Sequence, residues 1–500
     1  MDKIYKIDDA DNVAIAFISL EPATLIATEG QEPFPVVESI PAGHKIALTF
    51  IPKGTKVLKY GASIGIATRD IQRGELVHTD NVKSGLIEKQ GYEYQPVTTV
   101  PHPYIWENPE PLMVYKRENG KVGIRNELWV IPTVGCVNSV AKRIIEAFNA
   151  SGEYHGIDGV YHFPHPYGCS QLGGDHERTK KMLQNIALHP NSGGVLVLGL
   201  GCENNQVDIF KETMPDGFSL DRVAFLEAQT VEDEIAVGVT LLQELYSKAV
   251  KDVRQPGSWQ DIVIGLECGG SDAFSGITAN PLIGLVSDYI VHHGGSTVLT
   301  EVPEMFGAEH VLMGQCVDRQ VFNKTVEMIN DYKNYYLAHN QPIYENPSPG
   351  NKSGGITTLE DKSLGCTRKS GKSPIVDVVK IDQRVSTPGL NLLYSPGNDI
   401  VATTALGASG CHLVLFSTGR GTPLGGFIPT IKIASNSALA RKKANWIDFN
   451  AGVLADPGIN QNDVLSSLLS VVVATINGKL TSAEVRKDRE IAIFKTGITL

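Results

Sequence analysis

The chain has 500 residues, more than one ordinary hydrophobic core accommodates, so two to four domains are expected. Its 44 Lys and Arg against 55 Asp and Glu give a formal net charge of -11, which excludes a global field for nucleic acid or an anionic membrane but leaves room for a locally basic pocket. A hydrophobic content of 42% with 20% charged residues excludes wholesale disorder, and the 50 glycines imply many tight turns and loops that approach a ligand closely.

Seven cysteines, at positions 136, 169, 202, 268, 316, 366 and 411, form an odd and sparse set that does not resemble a disulfide scaffold. The amino terminus is acidic where a secretion signal needs a basic start and an apolar run. The most apolar segments, 195–200 and 465–476, are too short to span a bilayer. A cytoplasmic protein without nucleic-acid or membrane partners is therefore expected, with a homodimer as the default for a soluble enzyme.

In chain order, residues 1–92 read as a small all-β module. Short runs at 13–18, 44–49, 56–60 and 64–67 are separated by turns at Pro41–Gly43, Pro52–Gly54 and Gln72–Gly74, and no helical period lasts. Residues 93–112 are proline-rich and read as a semi-extended linker. From 113 the texture becomes α/β. Apolar runs at 128–134, 159–163, 194–200, 262–266 and 296–300 each end in a polar or glycine-rich loop, and helical spacing follows at 139–150. This βαβ rhythm predicts mainly parallel sheets, in a second domain over 113–255 and a C-terminal domain over 256–500. The stretch 340–375 reads as loop-rich, and 463–477 as a helix.

In open parallel sheets ligands bind past the carboxyl ends of the strands. Four cysteines, Cys136, Cys169, Cys202 and Cys268, stand there, joined by Asn138, Glu203, Asn204, Asn205, Ser271 and Glu304. Three readings of the thiols are open: an iron–sulfur cluster, a mononuclear iron or other soft divalent ion, or small apolar residues at tight strand–loop junctions. The β module adds His44 with Lys45, Lys59 with Tyr60, and His78, residue types suited to proton transfer and anion binding. The loop STGRGTPLGG (417–426) offers hydroxyls, glycine-exposed N–H groups and Arg420 to a carboxylate or phosphate. It lacks the P-loop spacing, and no dinucleotide fingerprint is present.

The segments GHKIALTFIPKG (43–54), KYGASIGIA (59–67), VGIRNELWVIPTVGCVNSVA (122–141), YGCSQLGGDH (167–176) and GLGCENNQ (199–206) resemble the altronate/galactarate dehydratase family. So do GLECGGSDAFSGITANP (265–281), TEVPEMFGAEH (300–310), ENPSPGNKSGGITTLEDKSLGC (345–366) and LFSTGRGTPLGGFIPTIKIASN (415–436), and the likeness runs from end to end. The resemblance is to the altronate branch in particular. It implies an amino-terminal SAF-type β-clip module followed by two larger domains. It also implies a hydro-lyase that removes water from D-altronate to give 2-dehydro-3-deoxy-D-gluconate, with Fe(II), or Mn(II) in its place, as the metal. On this basis His44, Lys45, His78 and Glu304 are expected to be catalytic. Lys59, Tyr60, Asn138, Asn204, Asn205, Ser271 and Arg420 are expected to bind substrate, and Cys136, Cys169, Cys202, Glu203 and Cys268 to hold metal. An iron–sulfur cluster is the alternative cofactor. A lyase of a related sugar acid such as galactarate, or a non-catalytic sugar-acid-binding protein, is the alternative function.

Overall fold

A computed structural model describes residues 3–28, 31–87, 91–97, 104–106, 109–215 and 220–500. The N-terminal module is built from short antiparallel strands, as its frequent turns require. Ile4–Tyr5, Val13–Ala16, Lys45–Ala47 and Leu76–Val77 form one sheet, and Lys56–Lys59, Ala62–Ala67 and Val82–Lys83 another. Val13, Ala47, Val57, Ile64 and Val77 pack in a core that Ala308 and Leu364 of the C-terminal domain complete. The module is thus fused to the larger body through shared apolar burial rather than tethered to it. The described part of the expected linker lies along the C-terminal domain, with the Val97 N–H donating to the Gly314 carbonyl (2.9 Å) and the Tyr94 hydroxyl to that of Cys316 (3.0 Å).

In the second domain, strands Gly159–His162, Glu127–Pro132, Ser192–Gly199 and Val223–Glu227 lie in that spatial order and are all parallel. Helices Asn138–Ala150 and Glu234–Ala249 cover one face. Met113–Lys116 pairs antiparallel with Arg254–Pro256, so the chain enters and leaves this domain side by side.

The C-terminal domain carries a seven-stranded parallel sheet. Its spatial order is Ile375–Val379, Leu390–Leu393, Ser296–Leu299, Val263–Cys268, Leu413–Thr418, Thr430–Ala434 and Phe449–Asn450. Its central strands are buried on both faces, which explains their unbroken apolar runs. Ala279–His292 and Gln461–Ile476 pack on one face. Side chains of the other face, including Leu406 and Phe416, join Trp129, Phe163 and Leu183 of the second domain in one cluster. A buried network, Glu127 with Arg489 (2.7 Å) and Arg125 with Glu484 (2.8 Å), ties the second domain to the last residues of the chain.

One expectation needs correcting. Within 340–375 the structure forms helices at Pro349–Ser353 and Leu359–Cys366, with Ser348 and Thr358 as side-chain N-caps. All eight residues of the second helix are buried, so it has no polar face and no readable period.

Candidate active site

Two groups of side chains meet where the N-terminal module lies on the C-terminal domain. From the module, the strand beginning at Lys45 and the end of the strand Lys56–Lys59 project two lysines inward. Asp361, on the buried helix, receives both. Lys45 Nζ stands 2.9 Å from one carboxylate oxygen and Lys59 Nζ 2.9 Å from the other. Lys45 also donates to the Gly355 carbonyl (2.8 Å), and the Thr357 N–H donates to Asp361 (3.0 Å). Burial alone would raise the Asp361 pKa, but the two ammonium groups outweigh it and hold the carboxyl well below its usual range. Burial pulls Lys45 down to about 8 against the opposing pull of Asp361.

Beside this triad the His44 and His78 rings meet edge to face at 5.0 Å, and His78 Nδ1 lies 3.1 Å from the Thr357 hydroxyl. Burial, reinforced by Lys45, lowers both imidazoles, His78 to about 4, so both are neutral bases at neutral pH. Tyr60 sits in the left-handed region at φ 63°, and its hydroxyl rests against Gly276, where a Cβ would lie 2.1 Å away. Only glycine fits that seat.

The second group lies on the C-terminal domain side. Strand Val263–Cys268 ends at Cys268, whose sulfur is 3.1 Å from Glu304 Oε2 and 3.4 Å from the sulfur of Cys366. Cys366 Sγ is itself 3.1 Å from the same Glu304 oxygen. The other Glu304 oxygen pairs with Lys362 at 2.6 Å, and Lys369 approaches Glu301 at 3.4 Å. Glu301 is held at φ 70° and accepts the Cys268 N–H (2.9 Å). Such strain persists only where the surroundings fix it, and it concentrates at functional sites. The sheet order places this cluster at the switch point, since the chain leaves Val263–Cys268 toward Ser296–Leu299 on one side and later returns to Leu413–Thr418 on the other.

Lys59, Tyr60, Ser271, Asp361, Lys362 and Cys366 line one cavity between the groups, of about 10 Å³, room for roughly one water. Asp272 is also part of the wall of a more open depression of about 330 Å³, where Arg420 stands with Ala42, Phe274 and Lys442.

The seam offers a donor set for the divalent metal that the sequence resemblance implies. Cys268, Glu304 and Cys366 offer donor atoms all within 4.8 Å of one another, and all three residues are buried. One oxygen each of Glu301 and Glu267 is buried without a hydrogen-bond partner among the described residues. Burial and the neighbouring Glu301 push Glu267 well above the usual carboxylate range, a sign that negative charge here exceeds what the two lysines neutralise. Two thiols and a carboxylate suit a thiophilic divalent ion.

The expected site residues therefore separate into two places. His44, Lys45, Lys59, Tyr60, His78, Ser271, Cys268 and Glu304 gather at this interface, with Arg420 in the adjoining depression. Cys136, Cys169, Cys202, Glu203, Asn138, Asn204 and Asn205 lie instead on the second domain's loops, so the five expected metal ligands do not form one set. Cys268 belongs to a different sheet from the other three cysteines. Glu203 is occupied by the Thr133 hydroxyl (2.7 Å) and the N–H groups of Leu200 (3.0 Å) and Gly201 (2.6 Å), which makes it a loop clamp. Asn138 donates to the His165 carbonyl (2.9 Å), Asn204 accepts the Ser170 N–H (2.8 Å) and Asn205 donates to the Thr133 carbonyl (3.0 Å). Each thus makes at least one bond to backbone, and the Asn205 Oδ1 is left buried without a hydrogen-bond partner among the described residues. Asp361, Lys362, Cys366 and Lys369 were not among the expected site residues, although LEDKSLGC (359–366) sets two acids, a lysine and a cysteine within eight residues.

An antiparallel β module seated on a parallel-sheet domain, with lysines, imidazoles and a thiol–carboxylate cluster at the seam, defines a multidomain α/β protein with a charged, buried site between its domains. Family models match the chain throughout: the altronate/galactarate dehydratase SAF domain at 2–85, the D-galactarate dehydratase/altronate hydrolase second domain at 114–250, and the D-galactarate/altronate dehydratase C-terminal domain at 259–499. The chain is 53% identical to the altronate dehydratase of Escherichia coli (strain K12) over 497 residues, 99% of both chains. It is 50% identical to the altronate dehydratase of Bacillus subtilis (strain 168) over 501 residues, all of both chains. Identity to the galactarate dehydratase (L-threo-forming) of Escherichia coli (strain K12) is 34%, over 95% of this chain and 92% of that one. The chain belongs to the altronate/galactarate dehydratase family, and it is a hydro-lyase. Among the described residues, no helix is long and apolar enough to cross a membrane.

Proposed function

We propose that the protein dehydrates D-altronate to 2-dehydro-3-deoxy-D-gluconate at the seam between the N-terminal module and the C-terminal domain. The observation that carries this reading is the buried Lys45–Asp361–Lys59 bridge beside the Cys268–Glu304–Cys366 cluster, one polyvalent site made by two parts of the chain. The near-full-length likeness to two altronate dehydratases, against 34% to the galactarate enzyme, supports altronate as the substrate.

Dehydration of a 2-hydroxy acid begins with removal of the weakly acidic proton next to the carboxylate. The neutral His44/His78 pair serves as proton acceptor, kept uncharged by burial and by Lys45. Lys59 and Tyr60 line the cavity and bind the polyol acid, with Arg420 drawing its carboxylate in from the adjoining depression. Cys268, Glu304 and Cys366 would hold Fe(II), or Mn(II) in its place. When bound, such an ion supplies electrostatic stabilisation for the negative charge that develops as the proton leaves. Glu301 and Lys369 orient the cluster, through the Cys268 N–H and an ion pair respectively.

The test is to incubate the protein with D-altronate and Fe(II) under anaerobic conditions and assay for a 2-keto acid, in parallel with galactarate. Formation of keto acid from altronate, lost in His44→Ala with folding intact, supports the reading. Equal turnover of galactarate, or full activity of His44→Ala, overturns it.

A further inference from the structure

The second domain has a switch point of its own, and nothing in the proposed dehydration uses it. Its strand order places Glu127–Pro132 and Ser192–Gly199 side by side, with Gly159–His162 beyond the first and Val223–Glu227 beyond the second. The connections leaving the two central strands diverge there and open a crevice at their carboxyl ends. Cys136 follows the first central strand, Cys202 the second, and Cys169 the strand Gly159–His162. All three thiols are exposed, and none is in a disulfide.

The loops that carry them are locked together by everything except the thiols. A Cβ at Gly168, which sits at φ 98°, would lie 2.0 Å from the Thr133 carbonyl oxygen, so the Cys169 loop lies directly on the Cys136 loop. The Asn205 N–H donates to the Gly168 carbonyl (3.0 Å), which binds the Cys202 loop to the Cys169 loop. The chain's last residue also reaches this place, where the Leu500 N–H donates to the Ser170 carbonyl (2.9 Å). Asn138, Glu203, Asn204 and Asn205 each bond to neighbouring loops of the scaffold. What the scaffold presents is sulfur, beside an open depression of about 620 Å³ lined by Cys136, Asn138, His165, Tyr167 and Cys169.

We propose that Cys136, Cys169 and Cys202 hold an iron–sulfur cluster of the cubane type, with its fourth iron facing that depression and open to an oxygen donor. The three thiols do not come together as the donor set of a single ion. A tetrahedral zinc–thiolate site, with bonds of about 2.3 Å, needs its sulfurs within about 4 Å of one another. Among the described residues, only Cys268, Glu304 and Cys366 bring their donor atoms that close together. A cubane puts each thiolate on a different iron, so its ligands stand further apart. Two metal sites of different chemistry then occupy the two switch points: a buried ion at the module seam and an exposed cluster on the second domain. The proposal does not depend on which acid is dehydrated at the seam.

The full chain, purified anaerobically, should be brown, with acid-labile sulfide and at least as much iron as sulfide. Cys136→Ser, Cys169→Ser and Cys202→Ser should each lose the visible absorption and most of the sulfide, and Cys268→Ser should keep both. Should the serine variants fold poorly, the wild-type protein still decides: alkylation should modify three more thiols after the cluster is stripped with chelator and oxidant than before. Absence of labile sulfide, absorption that survives in the Cys136/Cys169/Cys202 triple variant but vanishes in Cys268→Ser, or thiols equally reactive before and after stripping would each overturn the proposal.

Discussion

Both α/β domains have a parallel sheet with a switch point beside its first strand, and they differ in what covers that point. In the second domain, cysteines past the strand ends stay exposed, and the neighbouring amides and carboxylate bond to adjacent loops. In the C-terminal domain, the corresponding ends are roofed by the N-terminal module, and the cysteine there is buried with a second cysteine, two glutamates and two lysines. A parallel sheet supplies a crevice at its switch point whatever its sequence. Burial then decides the chemistry, because charges taken out of water shift proton affinities and attract compensating ions. The lesson is that a shared strand-end location does not imply a shared site.

The sharpest way to break this contrast is to withhold the metal proposed for the seam or to remove its candidate ligands. Stringent chelation, or Cys268→Ser combined with Cys366→Ser, should lower kcat by about a thousandfold or more, since a bound ion contributes several kcal/mol of transition-state stabilisation. Turnover that survives chelation would assign the seam no metal role. Next in size, His44→Ala and His78→Gln should each cost about 10²- to 10⁴-fold in kcat with circular dichroism unchanged, the range for losing a positioned base.

Asp361→Asn tests the seam as structure. It leaves two buried ammonium groups facing a neutral amide and should destabilise the protein by about 3–5 kcal/mol in denaturant unfolding. A midpoint close to that of the wild type would mean that the module is held by its apolar core alone. Smaller again, Gly276→Ala should cost about 1–3 kcal/mol by driving a methyl group into the Tyr60 hydroxyl, and should raise KM more than it lowers kcat.

The pH dependence is the finest probe. His78 titrates near 4 in the folded protein and near 6.5 when unfolded, so between those values the unfolded chain binds more protons. Its contribution to stability is therefore present above pH 6.5 and is lost as the pH falls toward 4, so Tm should decline over that window with a shallower slope in His78→Gln. The acid limb of kcat/KM should fall well below 6.5, and the alkaline limb near 8, where Lys45 loses its charge. An acid limb at the ordinary imidazole value would contradict a buried neutral pair.

Much of the fold could be read along the chain. Apolar runs marked the parallel strands, and the glycine-punctuated β texture ahead of 113 marked a separate module. The exception was the helix Leu359–Cys366, which is buried all round and so lacks the amphipathic period on which a helix assignment rests. That one omission hid Asp361, Lys362 and Cys366. The module residues His44, Lys45, Lys59, Tyr60 and His78 stood out because two histidines and paired lysines are unusual in so small a β unit. The asparagines at 138, 204 and 205 mark the limit of such reading, because a polar residue past a strand end looks the same whether it meets a ligand or a neighbouring carbonyl.

The amino-acid sequence by itself determined which segments are strands, where they end and that reactive side chains follow those ends, because these are local consequences of periodicity and turn chemistry. Only the tertiary structure decided which of those side chains share a site. Cys268 and Cys366 are 98 positions apart, and Lys59 lies 302 positions from Asp361. Strand order and the docking of one domain on another bring them together, and neither leaves a local mark in the chain.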